Sequence, residues 1–539
     1  MPGRYFWRTL DLPLEYLRQG VNEFVFRSDS TAFNAWILSL EGGYLPVSSA
    51  KSTDAGKNWR QELMGYADAI AGEYLVRIQL GRYAPQGRIT SPIIDLAENS
   101  TGIAGLYELK DLRIALRSET PEGTDITLRY RMGKSPFEFS EWGSWLDVSS
   151  GSQIYVVERF FQWQAILKTC HPLLTPELEE VSVEVQRQLV SGGAKMLSIQ
   201  QREDVELTIS SFPFSYQSSD EPKLAILRQQ EKLDEITRDA ASEFDQFLRL
   251  RRWVAQQWPY KAGNRYPPWD ALVILDWLRK TRLDAGGGCM HYSIVFCQCC
   301  LSLGLLARLV LVEPFANIIG DGHFMCEVWS NDYRKWILMD ATANSHFEAQ
   351  GVPLSLLETR NLWTTGQVEM IRQVSGPAQA DSVLGVNYPL EHLKRGGYQY
   401  AGLVLRNDHL TSLSPWEPEH GWVAYKGTGF LWWGRDIPKE HPQFLLYSDR
   451  WEDFYWPVNQ VQFDLQRSTR VEELIVSFGM ITPNFEHFEI SLDDGDWEPS
   501  ESSFVWHLKR GDNHLKAKVQ NKFGHFGPPS NVVVAFEPG

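Results

Sequence analysis

Between Gly286 and Asp340 the chain changes hydrophobic period within one short stretch, and this limits the folds open to it. Gly286-Gly287-Gly288-Cys289 opens a run containing Ile294, Val295, Leu301 and Leu303, and Gly304 follows. The pattern predicts a helix with Cys289 in its first turn and Gly304 at its C-terminal stop. From His323 the period becomes two. His323, Met325, Glu327 and Trp329 share one face, and Phe324, Cys326 and Val328 share the other. A third apolar run, Trp336-Ile337-Leu338-Met339, ends at Asp340. A helix followed by two antiparallel strands is an α+β layer.

The residue types at these places suit one chemistry. A thiol attacks as thiolate, and the unpaired N–H groups of a helix's first turn favour that anion at Cys289. Three glycines ahead of it allow a sharp turn and the close approach of a substrate chain. Adjacent antiparallel strands bring His323 and Asp340 within hydrogen-bond reach. Asp340 then fixes the imidazole tautomer while the other ring nitrogen faces the thiol. A carbonyl attacked by Cys289 also needs donors for its developing charge, and the N–H of Cys289 is the first of them.

A lone cysteine or histidine is more often a packed core residue than a catalyst. Here four blocks stand in order: Gly287-Gly288-Cys289, Leu303-Gly304-Leu305-Leu306-Ala307-Arg308, His323-Phe324-Met325-Cys326-Glu327-Val328 and Trp336-Ile337-Leu338-Met339-Asp340-Ala341-Thr342. In this arrangement the segment from about Lys223 to about Trp363 resembles the transglutaminase-like superfamily. The resemblance implies a papain-like α+β domain with Cys289 as nucleophile, His323 as base and Asp340 as its orienter. It also implies an upstream tryptophan as second oxyanion donor, and Trp258 is the residue that aligns. No cofactor is implied. Cys297 and Cys300 have C-x-x-C spacing, but no second cysteine pair completes a thiolate zinc site. With Cys299 they read as packing residues of an apolar helix, and no metal is expected.

Lys and Arg total 52 against 68 Asp and Glu, a net charge of −16. An acidic surface of this kind disfavours nucleic acid and anionic membranes. No apolar run has the length of a transmembrane helix. The first residues, MPGRYFWRTLDLPLEYL, lack a basic segment followed by an uninterrupted apolar one, so no secretory signal is expected. That favours the cytoplasm, whereas the flanking modules favour an extracytoplasmic site should the natural N-terminus lie further upstream. Cys170 and Cys326 add no disulfide framework.

A chain of 539 residues is too long for one core. The expected architecture is multidomain, a central α+β papain-like, transglutaminase-like domain between N-terminal and C-terminal all-β sandwiches. Residues 1–85 form a first β-sandwich, in which Ser52 to Trp59 match the Asp-box hairpin pattern Ser-x-Asp-x-Gly-x-x-Trp. Residues 86–192 form a second, and 193–375 the central domain, opening on helix-forming sequence from 222 to 258. A polar passage after Trp363 suggests a boundary. Residues 376–455 form an aromatic-rich β module, and 456–539 an immunoglobulin-like sandwich.

The expected activity is cysteine-dependent acyl transfer on amide or peptide bonds through a thioester, with hydrolysis favoured over cross-linking. The expected partner is a peptide or protein substrate, with a polysaccharide or cell surface engaged through the sandwiches. The alternative is a non-catalytic surface or carbohydrate-binding protein that uses the papain-like domain as a scaffold. Thiol chemistry separates the two. Iodoacetamide at neutral pH is expected to label Cys289 well before Cys297, Cys299 or Cys300. Equal labelling of the four, followed by peptide mass mapping, would contradict the assignment.

Overall fold

The computed structural model describes residues 16–18, 22–26, 40–42, 49–52, 54, 56–61, 72–74, 83–98, 101–137, 142–171, 173–190, 196–208, 210–260, 269–280, 287–314, 322–377, 388–411, 429–435, 437 and 444–538. The chain divides into two compact units, 1–86 with 121–124 and 168–175, and the remainder. In the first unit, Leu40–Gly42 pairs antiparallel with Gly72–Tyr74. The described part of the Asp-box is a self-bonded turn. Asp54 accepts from the Asn58 N–H at 2.9 Å and from its side-chain amide at 2.6 Å, while Ser52 donates to Asp54 at 2.8 Å. Gly56 takes φ +86°, and Lys51 pairs with Arg60 across the hairpin. Most of the sandwich expected over 1–85 lies outside the described residues.

The second unit holds two β-sandwiches and a mixed domain. In the first sandwich, one sheet contains Glu177–Leu189, Tyr107–Glu119 and Ser152–Tyr155, and the other is built on Phe160–Thr169 and Thr124–Gly133. Leu112, Ile114 and Ile154 from one sheet meet Leu128, Met132 and Phe161 from the other. The C-terminal sandwich packs the sheet of Val461–Arg467, Glu473–Met480 and Ser503–His507 on that of Phe485–Leu492, Gly511–Asn521 and Ser530–Phe536. Alternation makes both possible, because side chains of period two give each strand one apolar face.

The mixed domain begins with helices α1 (Pro222–Gln230), α2 (Leu233–Thr237), α3 (Glu243–Ala255) and α4 (Ala271–Lys280), followed by α5 (Cys289–Ser302). Lys232 at φ 51° breaks α1 from α2, and the Ser242 side chain caps α3 by accepting from the Asp245 N–H. Strands β1 (Ala307–Glu313), β2 (His323–Ser330), β3 (Lys335–Asp340), β4 (Ser345–Ala349) and β5 (Val352–Pro353) follow. Then come α6 (Leu356–Thr364), β6 (Arg372–Ser375), α7 (Tyr388–Lys394), β7 (Tyr400–Val404), β8 (Phe430–Trp433) and β9 (Leu446–Ser448). The sheet order is β5-β4-β3-β2-β1-β7-β8-β9, with β6 paired to β4.

Helix α5 is apolar on all sides and every residue from Met290 to Ser302 is buried, as a central helix must be. It lies on the sheet among α1, α3 and α4, with Phe324, Cys326 and Val328 facing its side. Met325 and Trp329 face the opposite core, beside α6 and α7 residues Leu356, Leu357 and Leu393. The two-face reading of β2 therefore holds, and both faces are covered. Gly304 at φ +78° ends α5, with the Leu305 N–H donating to Cys300 O and the Gly304 N–H to Leu301 O.

Two expected boundaries differ. Strand Leu197–Glu203, expected within the central domain, pairs with Ser530–Phe536 and belongs to the C-terminal sandwich. The segment 376–455, expected as a separate module, contributes β7, β8 and β9 to the central sheet, and the polar passage before it contains β6. Local patterning identifies a strand but not a partner far away in sequence. Among the described aromatic residues of that segment, Phe430 and Trp432 are fully buried packing residues.

One ion pair spans these elements. Arg308 of β1 donates to Glu327 of β2 through Nε at 3.1 Å and Nη2 at 2.6 Å, with both side chains essentially inaccessible. The other Glu327 oxygen accepts from the Leu356 N–H at the start of α6 and from the Tyr455 hydroxyl, each at 2.8 Å. Arg308 lies 3.9 Å from the Trp336 ring centroid. Arg308→Met strands a buried carboxylate and is expected to destabilise the domain by about 3–5 kcal/mol. Urea unfolding followed by near-ultraviolet circular dichroism measures this, and a change below about 1 kcal/mol would contradict it.

Candidate active site

Gly288 caps α5 in extended conformation, and its N–H donates to Nδ1 of His291, 3.2 Å away. Burial holds the His291 ring down to about 4, which leaves it neutral and able to accept. Cys289 follows as the first helical residue. It is half-buried, while Cys297, Cys299, Cys300 and Cys326 are buried. Burial raises the Cys299 and Cys300 thiols, so they are inert packing groups.

His323 begins β2 and Asp340 ends β3, where Cys326 pairs with Met339. The His323 Nε2–H donates to Asp340 Oδ2 at 2.8 Å, and the side chains are 3% and 4% exposed. Asp340 Oδ1 accepts from the N–H groups of Thr342 and Ala343 at 2.9 and 3.1 Å. With Nε2 committed to Asp340, Nδ1 is the nitrogen left for the Cys289 thiol, and the thiol and ring are close enough to act on each other's protonation. The structure thus brings Cys289, His323 and Asp340 into one connected group.

The electrostatics follow from this geometry. Burial pushes the Cys289 thiol up, yet the His323 hydrogen bond and charge, with the Phe324 N–H, outweigh it and the net shift is downward. Burial pushes His323 down, and the Asp340 carboxylate, aided by the thiol, more than reverses that. Burial pushes Asp340 up, but His323 and the two turn N–H groups hold it below the usual range. A lowered thiol beside a raised imidazole favours the thiolate–imidazolium pair near neutral pH.

Trp258 lies against Gly287, two residues before Cys289. Its indole Nε1 is 2.4 Å from where a Cβ on Gly287 would sit, so residue 287 has no room for a side chain. Its ring is 4.6 Å from that of Tyr292, whose hydroxyl donates to Trp258 O at 2.7 Å. Gly286 lies outside the described residues. Several neighbours carried no sequence signal. Tyr260 bridges to Gly287 and is pushed up to about 12, by burial first and then by the charges of Cys289 and Asp340. From α7, Tyr388 and His392 place their rings 5.6 and 6.1 Å from that of His323. They come from distant sequence, and only the fold puts them there.

Residues 230–341 match the family model of the transglutaminase-like superfamily. The chain therefore contains a transglutaminase-like domain, the fold of a superfamily of cysteine enzymes, flanked by strand-rich regions. Among solved structures, a candidate cysteine protease from Cytophaga hutchinsonii is 13% identical, covering 54% of this chain and 88% of that one, with a TM-score of 0.19. The transglutaminase of red sea bream is 9% identical, covering 82% of each chain, with a TM-score of 0.21. At TM-scores this low neither likeness adds to the family match. No curated protein matches the chain. Among the described residues, no helix is long and apolar enough to cross a membrane.

Gly287→Ala is expected to displace Trp258 or the turn into α5. Alkylation of Cys289 then slows by about tenfold or more, since small misplacements of reacting groups are costly, while far-ultraviolet circular dichroism stays unchanged. An unaltered alkylation rate would show that the close packing at Gly287 does not set the thiol's position.

Proposed function

We propose that the protein catalyses cysteine-dependent acyl transfer at an amide or peptide carbonyl, with hydrolysis as the main outcome. The observation that carries this reading is a partly buried thiol at the head of a buried helix, beside a buried imidazole whose other nitrogen is held by a carboxylate. In this reading the Cys289 sulfur attacks the carbonyl carbon, and the negative charge on the carbonyl oxygen is met by the Cys289 N–H and the Trp258 side. The His323 imidazolium gives its proton to the leaving amine as the C–N bond breaks, leaving a thioester. Neutral His323 then takes a proton from water, the hydroxyl adds to the thioester, and the thiolate leaves with the carboxylic acid released.

Asp340 keeps Nε2 protonated and so presents Nδ1 to the sulfur throughout. Cys289 is partly accessible, and an amine acceptor competes with water only where water is excluded, which favours hydrolysis. The substrate class proposed is a peptide or protein chain.

The test uses a peptide library with a fluorescent primary amine present. We expect free carboxylate as the dominant product, little amine incorporation, and loss of both in Cys289→Ala. Asp340→Asn is expected to fold and to lose about three to four orders of magnitude in kcat. Dominant amine incorporation would make the protein a transferase, and unchanged turnover in Asp340→Asn would make that residue structural.

A further inference from the structure

A buried guanidinium lies behind the carboxylate of the site. Arg251 of α3 is 3% exposed. Its Nε donates to Asn344 Oδ1 at 3.1 Å, and Nη1 meets Met339 Sδ at 3.3 Å and His346 Nδ1 at 2.9 Å. These contacts straddle Asp340, one on the residue before it and the others just beyond its turn. His346 is an acceptor here and not a cation. Its Nε2–H donates to Glu348 at 3.0 Å, and burial with the Arg251 charge holds the ring down to about 4. Among the described residues no carboxylate closes on Arg251 as an ion pair, and the negative charge it senses is that of Asp340. Burial lowers the guanidinium to about 10, so it remains charged at neutral pH.

A buried cation held by neutral acceptors is costly unless an anion nearby compensates it. A carboxylate buried beside a thiolate is costly for the same reason, since two negative charges then face one imidazolium. Counting the site as thiolate, imidazolium and carboxylate leaves one negative charge uncompensated, and Arg251 balances it. The other titratable groups within electrostatic reach of Asp340 do not. Burial keeps His392 neutral, and Tyr260, Tyr398 and Cys326 are raised by burial and stay protonated. Beyond His346, Glu348 pairs with Arg372. Building on the reading of Cys289, His323 and Asp340 given above, we infer that Arg251 is a positioning residue. It acts through Asp340, supplying the buried positive charge that keeps the carboxylate ionised while the thiolate is present.

The test measures the rate of Cys289 alkylation by iodoacetamide against pH in the full chain. A Cys170→Ser background removes the one exposed thiol. Removing the Arg251 charge raises the affinity of Asp340 and Cys289 for protons. Arg251→Gln, which keeps an amide donor, is therefore expected to move the acid limb up by about one pH unit, a roughly tenfold loss of rate on that limb. Arg251→Lys, which keeps a positive charge at that place, is expected to move the limb by clearly less than Arg251→Gln does. If Arg251→Gln does not fold, the double variant with Asp340→Asn is expected to fold again, because it removes both charges together. An unmoved limb in Arg251→Gln, equal shifts in the Gln and Lys variants, or a double variant no more stable than the single would each overturn the inference. An inert thiol in the wild-type chain would take down the reading of the site as well. A reactive wild type with an unmoved Gln variant overturns only the role of Arg251.

Discussion

The Arg308–Glu327 pair is the contact on which the site's geometry depends. Both charges are out of water, and such a pair tolerates no partial disruption because either partner left alone is a buried unpaired charge. It locks β1 to β2 in one register. A slip by one residue would turn every β2 side chain to the opposite face, moving Phe324, Cys326 and Val328 away from α5 and His323 away from Asp340. Glu327 also fixes the first N–H of α6 and the Tyr455 hydroxyl, and Trp456 next to Tyr455 donates to Tyr216. One carboxylate thus ties the sheet, the helix beneath it and the segment leading into the C-terminal sandwich.

Helix α5 transmits that order to Cys289. Its N-terminus carries Cys289, and its far end is seated on the C-terminal sandwich. His525 bonds to Leu303 O at 2.8 Å, and Asn521 donates to Gly304 O at 3.2 Å. A Cβ at Gly304 would meet Phe523 at 2.4 Å, so glycine is required there for space as well as for its positive φ. A helix buried along its length and gripped at its end has little freedom to shift along its axis. Rigidity of this kind suits a site where a sulfur must meet a carbonyl carbon within a narrow range of distance.

Much of the central domain is legible in the sequence because its signals are local. The glycine run, the apolar helix and Gly304 fix where α5 starts and stops, and the alternation after His323 assigns each residue of β2 to its face. The run to Asp340 ends a strand whose antiparallel pairing puts Asp340 beside His323. The domain limits were less legible. Leu197–Glu203 reads as a strand wherever it goes, yet its partner is more than three hundred positions away, at Ser530–Phe536. Strands Tyr400–Val404, Phe430–Trp433 and Leu446–Ser448 look like an independent module because the passage before them is polar. Their backbone bonds nevertheless complete the central sheet.

The sequence by itself determined the local elements that present Cys289, His323 and Asp340. A thiol at a helix start, an imidazole at a strand start and a carboxylate at a strand end are each set by short-range propensity and period. The tertiary structure alone decided the surroundings that tune them. Arg251 behind Asp340, Tyr388 and His392 beside His323, and Tyr260 near Cys289 come from α3, from α7 and from the loop that follows α3. Their side chains carry no periodic or motif signal toward the site. Charge balance and burial are properties of three-dimensional neighbourhood, and these come into being only when distant segments pack together.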